Sequence, residues 1–479
     1  VGIVRNTLAL ILSVVLSSCG GDGSNTSGGT ISNGSSGGSS GGSNTSGCSL
    51  SERQNWVKSQ LDEWYLFPTL LNNSVTPSAY TNVQDYIDAL VAPARAQSKD
   101  RYFTYITSIA EENAYYNSGS TAGLGVRLAL DSSSNRLFVV ESFESGPALG
   151  VGIDRGTEIL AIGTVENGLQ TVSSLVASGG TQALTDALGP NDPGVSRVLQ
   201  VYTNGQVSNV TVTKTNYNID PVSNRYGAKV IDDNGTKVGY INLRTFIDSA
   251  DSDLRTAMDT FRSQGIDKVI VDLRYNGGGL VDVSVLFGDL LGKANVGKVF
   301  SYTTYRDSKS SRNTTTNFSA QSQAIAPTKI AFIGMHGTAS ASELLTNAFI
   351  PYLGNNMALV GTNTYGKPVG QIGLDRSACD DRLRVMAFKT ENANHQGEYF
   401  TGLATVVPNT CAAGDDIFHQ LGDPSEAATR AALNFLSGQS CTPITSSASG
   451  TRTQAATPRR TLITPARPSA AQHETPGLF

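Results

Sequence analysis

Two stretches of this sequence carry side chains able to do chemistry. The first is Gly337-Thr338-Ala339-Ser340-Ala341-Ser342-Glu343, set between an apolar run that reads as a buried strand and one that reads as a helix. A hydroxyl at a helix N-terminus meets the positive end of the helix dipole, and the free backbone N–H groups there can hold an oxyanion. The same Ser-x-x-Glu spacing is also a capping box, with Ser340 as cap and Glu343 reaching back, so alone the stretch reads first as a helix start. The second stretch runs from Gly361 to Gln371 around Tyr365-Gly366-Lys367-Pro368. Serine becomes a useful nucleophile when a base takes its proton, and a lysine serves as that base only when neutral. Its amine, at ~10.4 in water, must be brought down, which burial among apolar groups accomplishes. Tyr365 and Val369 flank Lys367 and are consistent with such a pocket.

Two other chemistries compete for these residues. Gly361 to Lys367 has the glycine spacing of a phosphate-binding Walker A loop, but the required Ser or Thr is replaced by Pro368. Proline offers no hydroxyl to magnesium and no N–H to a phosphate, so nucleotide chemistry is rejected. A Ser-His-Asp triad would draw on His336, four residues before Ser340, with Asp272 as third member. No Gly-x-Ser-x-Gly elbow surrounds Ser340, and Asp272 reads better as ordering the loop after its strand. His395 and His419 read as surface or loop residues. No Cys-x-x-Cys or His-x-x-x-His spacing suggests zinc, and neither a metal nor an organic cofactor is expected.

The frame around these stretches is long enough, at 479 residues, for two to four domains of about 100–200 residues each. Only 16% of residues are charged while 50 are glycine, a bias that points to a globular core flanked by uncharged, flexible segments. A net charge of −5 provides no global basic field for nucleic acid. Residues 1–19 show the order of an export signal: Arg5, an apolar run from Thr7 to Leu16, then small residues. The closing Leu16-Ser17-Ser18-Cys19 resembles a bacterial lipobox, which implies lipid on Cys19 and a body tethered outside the cytoplasm in the cell envelope. Gly20 in place of an aspartate favours the outer membrane. Residues 20–47, almost all Gly, Ser, Asn and Thr, read as a flexible linker, and 442–479 as a disordered tail. Cys48, Cys379, Cys411 and Cys441 then remain, an even number in an oxidising space, with three possible pairings. Their order along the chain favours Cys48–Cys441 across the folded body and Cys379–Cys411 within it.

Three folded pieces are expected between linker and tail. Residues 48–110 carry helical spacing in Trp56, Leu61, Trp64 and Tyr65, ended by Pro68, and a second helix from Asn82 that stops near Pro93. Residues 111–220 change to short strands and turns, with runs at 123–130 and 136–143 and a hairpin around Asn204-Gly205. Residues 221–441 alternate strand and helix: Leu254, Ala257, Met258 and Phe261 share one helical face, and Asp267 to Arg274 is a buried strand entering Tyr275-Asn276-Gly277-Gly278-Gly279.

The middle piece resembles a PDZ domain, whose carboxylate-binding loop matches Gly123-Leu124-Gly125-Val126, with Ser145-Gly146-Pro147-Ala148 before a short helix. Taken in order, that domain, the Asp272-Leu273-Arg274-x-Asn276-x-Gly278-Gly279 loop, Thr338 to Glu343 and Tyr365-Gly366-Lys367 resemble the C-terminal processing (tail-specific) proteases, over most of residues 50–438. The resemblance implies a small helical domain, a PDZ domain and an α/β-layered, crotonase-like peptidase core. It implies a serine endopeptidase in which Ser340 is the nucleophile, Lys367 the general base and Gln371 a residue holding the lysine, with the Gly278 and Ala341 N–H groups as oxyanion hole. The spacing from Ser340 to Lys367 exceeds the family's by about two residues, a difference expected to fall at Pro351–Asn356, and Ser342 remains a rival nucleophile. Expected partners are protein or peptide substrates with accessible C-termini and, through Cys19, a membrane. The competing expectation is a non-catalytic envelope adaptor whose PDZ domain binds protein C-termini. Retention of both Ser340 and Lys367 argues against it.

Overall fold

Continuous apolar runs too short for helices become the parallel strands of a central sheet. A computed structural model describes residues 46–445 and 460–479, and the export signal, lipobox Cys19 and residues 20–45 lie outside them. The sheet has six strands in the order 228–233, 236–242, 268–272, 329–334, 357–361 and 410–412. The first pair is an antiparallel hairpin and every later pairing is parallel. Helices Ala250–Ser263, Val281–Leu291 and Ala341–Leu353 cover one face, where Leu254, Phe261, Phe287 and Phe349 meet Val269, Val271 and Phe332. Helix Ala427–Leu436 covers the other with Ala428, Ala432 and Leu433. The fold is thus mixed α/β, and the strands Lys268–Asp272, Lys329–Gly334 and Met357–Gly361 deliver their following loops to one sheet edge. That edge is where open parallel sheets place their sites.

The helical segment near residue 50 is not a separate core. Val57 and Leu61 of helix Leu50–Trp64 pack with Leu383, Val385 and Met386 of the long strand Asp381–Glu391, which also pairs with strand Tyr105–Ser108. The second helix, Val83–Ala96, continues through Pro93. A proline in the last turn forfeits one intrahelical bond, and the buried stripe of Tyr86, Ile87, Leu90, Val91 and Ala94 outweighs it.

Residues 120–218 form a β-rich module of strands 126–131, 136–142, 158–163, 196–203 and 206–213, flanked by helix Val172–Leu188 and the short helix Pro147–Gly150. The hairpin expected at Asn204-Gly205 is present, with φ positive at both residues as a two-residue hairpin turn demands. Buried arginines dock this module on the core. Arg127 and Arg244 both bond Glu141, at 2.6 and 2.7 Å, while Arg155 bonds Asp415 at 2.8 Å and the Tyr275 hydroxyl at 2.7 Å. Burial alone would raise the Glu141 carboxyl, but Arg244 and Arg127 bring it down to about 2.

Two expectations are corrected. The disulfides are Cys48–Cys379 and Cys411–Cys441, with Cα separations of 5.6 and 4.9 Å, in place of Cys48–Cys441 and Cys379–Cys411. Order along the chain misled because helix Leu50–Trp64 lies on strand Asp381–Glu391, where Arg53 pairs with Asp381 and Arg376 reaches the Glu52 carbonyl. Cys441 meanwhile returns beside the edge strand Thr410–Ala412, where the Ala412 N–H donates to the Thr442 carbonyl. Second, residues 460–479 of the expected disordered tail are folded: strand Arg460–Leu462 and helix Ala470–Glu474 pack down, and Ile463, Leu478 and Phe479 are buried. Their apolar residues are too scattered for any helical or strand period to register. Residues 446–459 lie outside the described ones.

Glu141→Ala strands the buried Arg127 guanidinium and leaves Arg244 only Glu144, and a lost partner of this kind costs about 3–5 kcal/mol. Urea denaturation of the variant should show that loss, and an unchanged midpoint would remove the arginine cluster from the list of docking forces.

Candidate active site

Strand Lys329–Gly334 ends at Met335, and a tight turn follows in which the Thr338 hydroxyl donates to the Leu273 carbonyl and accepts from the Met335 N–H. The turn delivers Ser340 to the start of helix Ala341–Leu353 with φ 54° and ψ −117°, a backbone state that L-residues hold only when their surroundings impose it. The constraint comes from Glu343. Its fully buried carboxylate accepts from the Ser340 N–H at 3.1 Å, the Gly366 and Lys367 N–H groups at 2.7 Å each, and the Thr364 hydroxyl at 2.5 Å. The capping box is therefore real, and the same carboxylate also fixes the lysine loop against the serine turn. Burial pushes the Glu343 carboxyl up, against the pull of these four donors.

Lys367 is nearly buried, and its Nζ donates to Gln371 Oε1 at 2.7 Å. Gln371 is itself anchored by its amide group on the Phe103 carbonyl. The Phe103 ring lies 5.0 Å from the ammonium, and burial pulls the Lys367 amine below its ordinary value while the nearby Glu474 carboxylate opposes it. The arrangement has the parts that a neutral-lysine base requires: an apolar wall, one acceptor that orients it, and a serine tied to the same carboxylate. Ser342 is excluded as the nucleophile by its own contact, since its buried hydroxyl donates to the Asn276 carbonyl at 3.0 Å. Asp272 is spent on the Tyr240 hydroxyl and Arg274, and the His336 ring lies against Tyr365, so no triad forms.

The glycine loop after strand Lys268–Asp272 reaches Ser340 closely. A Cβ on Gly278, whose φ is +124°, would stand 2.7 Å from Ser340 Cβ and 3.2 Å from the Ala341 nitrogen. The Ala341 N–H opens its helix and has no intrahelical acceptor. The Gly278 N–H, however, is not free for an oxyanion. It donates to Asn276 Oδ1 at 2.9 Å, an acceptor held in place by its own amide bond to the Leu243 carbonyl. The Gly277 N–H is the one that donates away from the loop, to the Glu474 carbonyl at 3.1 Å. An asparagine two residues upstream can claim a glycine N–H in this way.

Other contributors were hidden in a stretch that reads only as a loop, Asp100 to Thr104. Buried Asp100 accepts from the Phe103 and Thr104 N–H groups and from the Tyr65 hydroxyl, shaping the turn that presents Phe103. Arg101 donates to the Tyr365 and Gly366 carbonyls and stacks on the Tyr365 ring at 4.2 Å. The expected ligand loop, Gly123 to Val126, lies on the neighbouring module, where the Gly125 and Val126 N–H groups converge on the Phe479 backbone oxygen at 2.9 and 3.2 Å. Among the described residues no group of three or more His, Cys, Asp or Glu side chains could hold a metal.

The sequence profile of peptidase family S41 matches residues 237–403, which carry Asp272 to Gly279, Ser340 and Lys367. A carboxyl-terminal-processing protease of Synechocystis is 27% identical over 396 residues, covering 80% of this chain and 82% of the relative. One from Picosynechococcus is 26% identical over 321 residues, covering 67% and 71%. Among solved structures, a Bacteroides fragilis chain named for the S41 proteases aligns over 80% of this chain and 97% of its own, with a TM-score of 0.61 and 20% identity, a likeness of fold.

Glu343→Gln keeps the shape of the side chain but loses the charge and part of the acceptor capacity that serve four donors. A displacement of about 1 Å between reacting groups costs roughly 10²-fold in rate. The variant should lose that much turnover with its fold intact by circular dichroism, and wild-type turnover would show that the Ser340 turn holds itself.

Proposed function

The chain belongs to peptidase family S41, the C-terminal processing proteases, and from that premise we propose that it cuts protein or peptide substrates near their C-terminal ends, with Ser340 as nucleophile and Lys367 as general base. That it is a serine-type peptidase follows from the family. The observation that carries the residue assignment is the buried Lys367 amine, oriented by Gln371 and joined through Glu343 to the serine turn.

In the reaction, neutral Lys367 takes the Ser340 hydroxyl proton as Oγ attacks the scissile carbonyl carbon. The Ala341 and Gly277 N–H groups receive the developing oxyanion, with Gly278 replaced in that role because its N–H serves Asn276. Collapse breaks the C–N bond as the Lys367 ammonium protonates the leaving amine. Water, deprotonated by the same lysine, then releases the acyl group from Ser340.

Residues 111–220 act in this reading as a PDZ domain that holds the substrate's C-terminal segment. Support comes from the paired Gly125 and Val126 N–H groups and from strand Val126–Asp131, whose edge accepts an added strand. Residues 48–110 and 221–441 serve as the helical region and the peptidase core. A place in the bacterial envelope, with lipid on Cys19 and the body in the periplasm or at the cell surface, agrees with the two disulfides, which persist in oxidising compartments. No helix among the described residues is long and apolar enough to cross a membrane.

Ser340→Ala and Lys367→Ala should each fall to background on unfolded casein and on tailed peptides, the lysine change costing at least about 10²–10⁴-fold. Since burial lowers the Lys367 amine and only its neutral form is a base, kcat should rise with pH from 6 towards the mildly alkaline range. Equal cleavage by wild type and Ser340→Ala, or a flat kcat profile with chemistry limiting, would sink the dyad.

A further inference from the structure

Residues 460–479 run through both halves of the site just described. Strand Arg460–Leu462 pairs antiparallel with Ala129 to Asp131, and the Ile463 N–H donates to the Leu128 carbonyl. The chain then leaves that edge and returns to it at Gly477, whose carbonyl accepts from the Leu128 N–H, while Phe479 exchanges bonds with Val126. Phe479 is 3% exposed in the apolar cluster that includes Leu124, Val126, Leu184 and Leu188. Between these two visits the segment crosses the catalytic cleft. The His473 ring stacks on Tyr105 at 3.6 Å, and burial with the Lys367 charge brings its imidazole down to about 3. The Glu474 carbonyl accepts from the Gly277 N–H, and a Cβ on Gly277 would meet that oxygen at 2.8 Å. Thr475 bonds the Tyr115 hydroxyl, and the Pro476 carbonyl accepts from Arg127 at 2.9 Å.

The path is that of a substrate: added strand and apolar side chain in the module, backbone carbonyl on a cleft N–H beside Lys367. We propose that residues 460–479 are a built-in occupant that holds the peptidase latent, and that an incoming chain gains the cleft by displacing them with a bulky apolar residue of its own at the Phe479 position. The proposal rests on the reading of Ser340, Lys367 and the PDZ groove given above. A tethered strand competes at a high effective concentration, so a free peptide meets only the fraction of molecules whose segment has lifted. The groove has one strand edge, so segment and substrate exclude each other. Specificity and latency then come from the same contacts.

The test uses the full chain. Leu478→Asp with Phe479→Asp removes the apolar anchor. Independently, Gly477→Val places a side chain where φ is +81° and a Cβ would stand 3.0 Å from Leu462 and 3.1 Å from the Leu128 carbonyl. On a Ser340→Ala background, a fluorescent peptide of the 470–479 sequence should bind both variants at least about 10-fold tighter than the unaltered segment allows, by anisotropy. A peptide ending in Asp-Asp should bind none. With Ser340 present, casein turnover should rise by a similar factor.

Equal peptide affinity in all three chains, or no binding by any, overturns the proposal. Tighter peptide binding in both variants with no cleavage by any chain upholds the occupied groove and defeats the peptidase reading. Equal Ser340-dependent cleavage by all three does the reverse. Loss of residues after Glu474 from the wild-type chain but not from Ser340→Ala would make the segment a substrate and overturn it as a standing block.

Discussion

The Glu343 carboxylate is the constraint on which the site depends. Ser340 sits in a backbone state that a free chain avoids, and Lys367 sits in a loop with no regular structure of its own, so neither would hold position unaided. A carboxylate is the side chain that can accept from four donors at once. Here three are backbone N–H groups from the Ser340 turn and the Lys367 loop and the fourth is the Thr364 hydroxyl. Thr364 passes the constraint on, because its Oγ accepts from the Leu403 N–H at 2.8 Å and so fixes a further loop over the cleft. Burial makes each of these bonds stronger and the loss of any one more costly. The parallel sheet supplies the rest: three adjacent strands end at one edge and aim their loops at a common point.

Docking of the β-rich module matters for the same reason. Arg127 is fully buried between strand Val126–Asp131 and the core, bonding Glu141, the Tyr275 carbonyl of the glycine loop and the Pro476 carbonyl of the C-terminal segment. One guanidinium thus touches the groove, the loop that lines the cleft, and the chain lying in both. A planar group with five donors is suited to this, whereas an ammonium on a flexible stem would not fix three directions. Arg155 repeats the device at Tyr275 and Asp415. The β-rich module and the loops around Ser340 are therefore held in one frame.

What the sequence disclosed follows from what kind of signal each feature carries. The core strands and the helix bearing Leu254, Ala257, Met258 and Phe261 were legible because burial imposes continuous or periodic apolar patterns. Ser340 and Lys367 stood out as candidates because their neighbours are tightly prescribed by turn and helix start. The disulfides were not, since parity and order say nothing of helix Leu50–Trp64 lying on strand Asp381–Glu391. A local competition at Gly278 was also hidden: Asn276 is near enough in sequence to take that N–H, while the Gly277 N–H turns to the Glu474 carbonyl. Residues 460–479 were missed because a strand added to an existing edge needs only a few anchors, here Ile463, Leu478 and Phe479, and these make no pattern of their own.

That added strand also shapes the lysine's environment. Strand Val126–Asp131 would otherwise present an open edge, and such edges are covered or blunted in stable proteins. Covering it with residues 460–479 brings the buried Glu474 carboxylate near Lys367, where it favours the protonated amine. Burial works the other way. The same few contacts therefore close a sheet edge and set an acidic side chain against the effect of burial on Lys367.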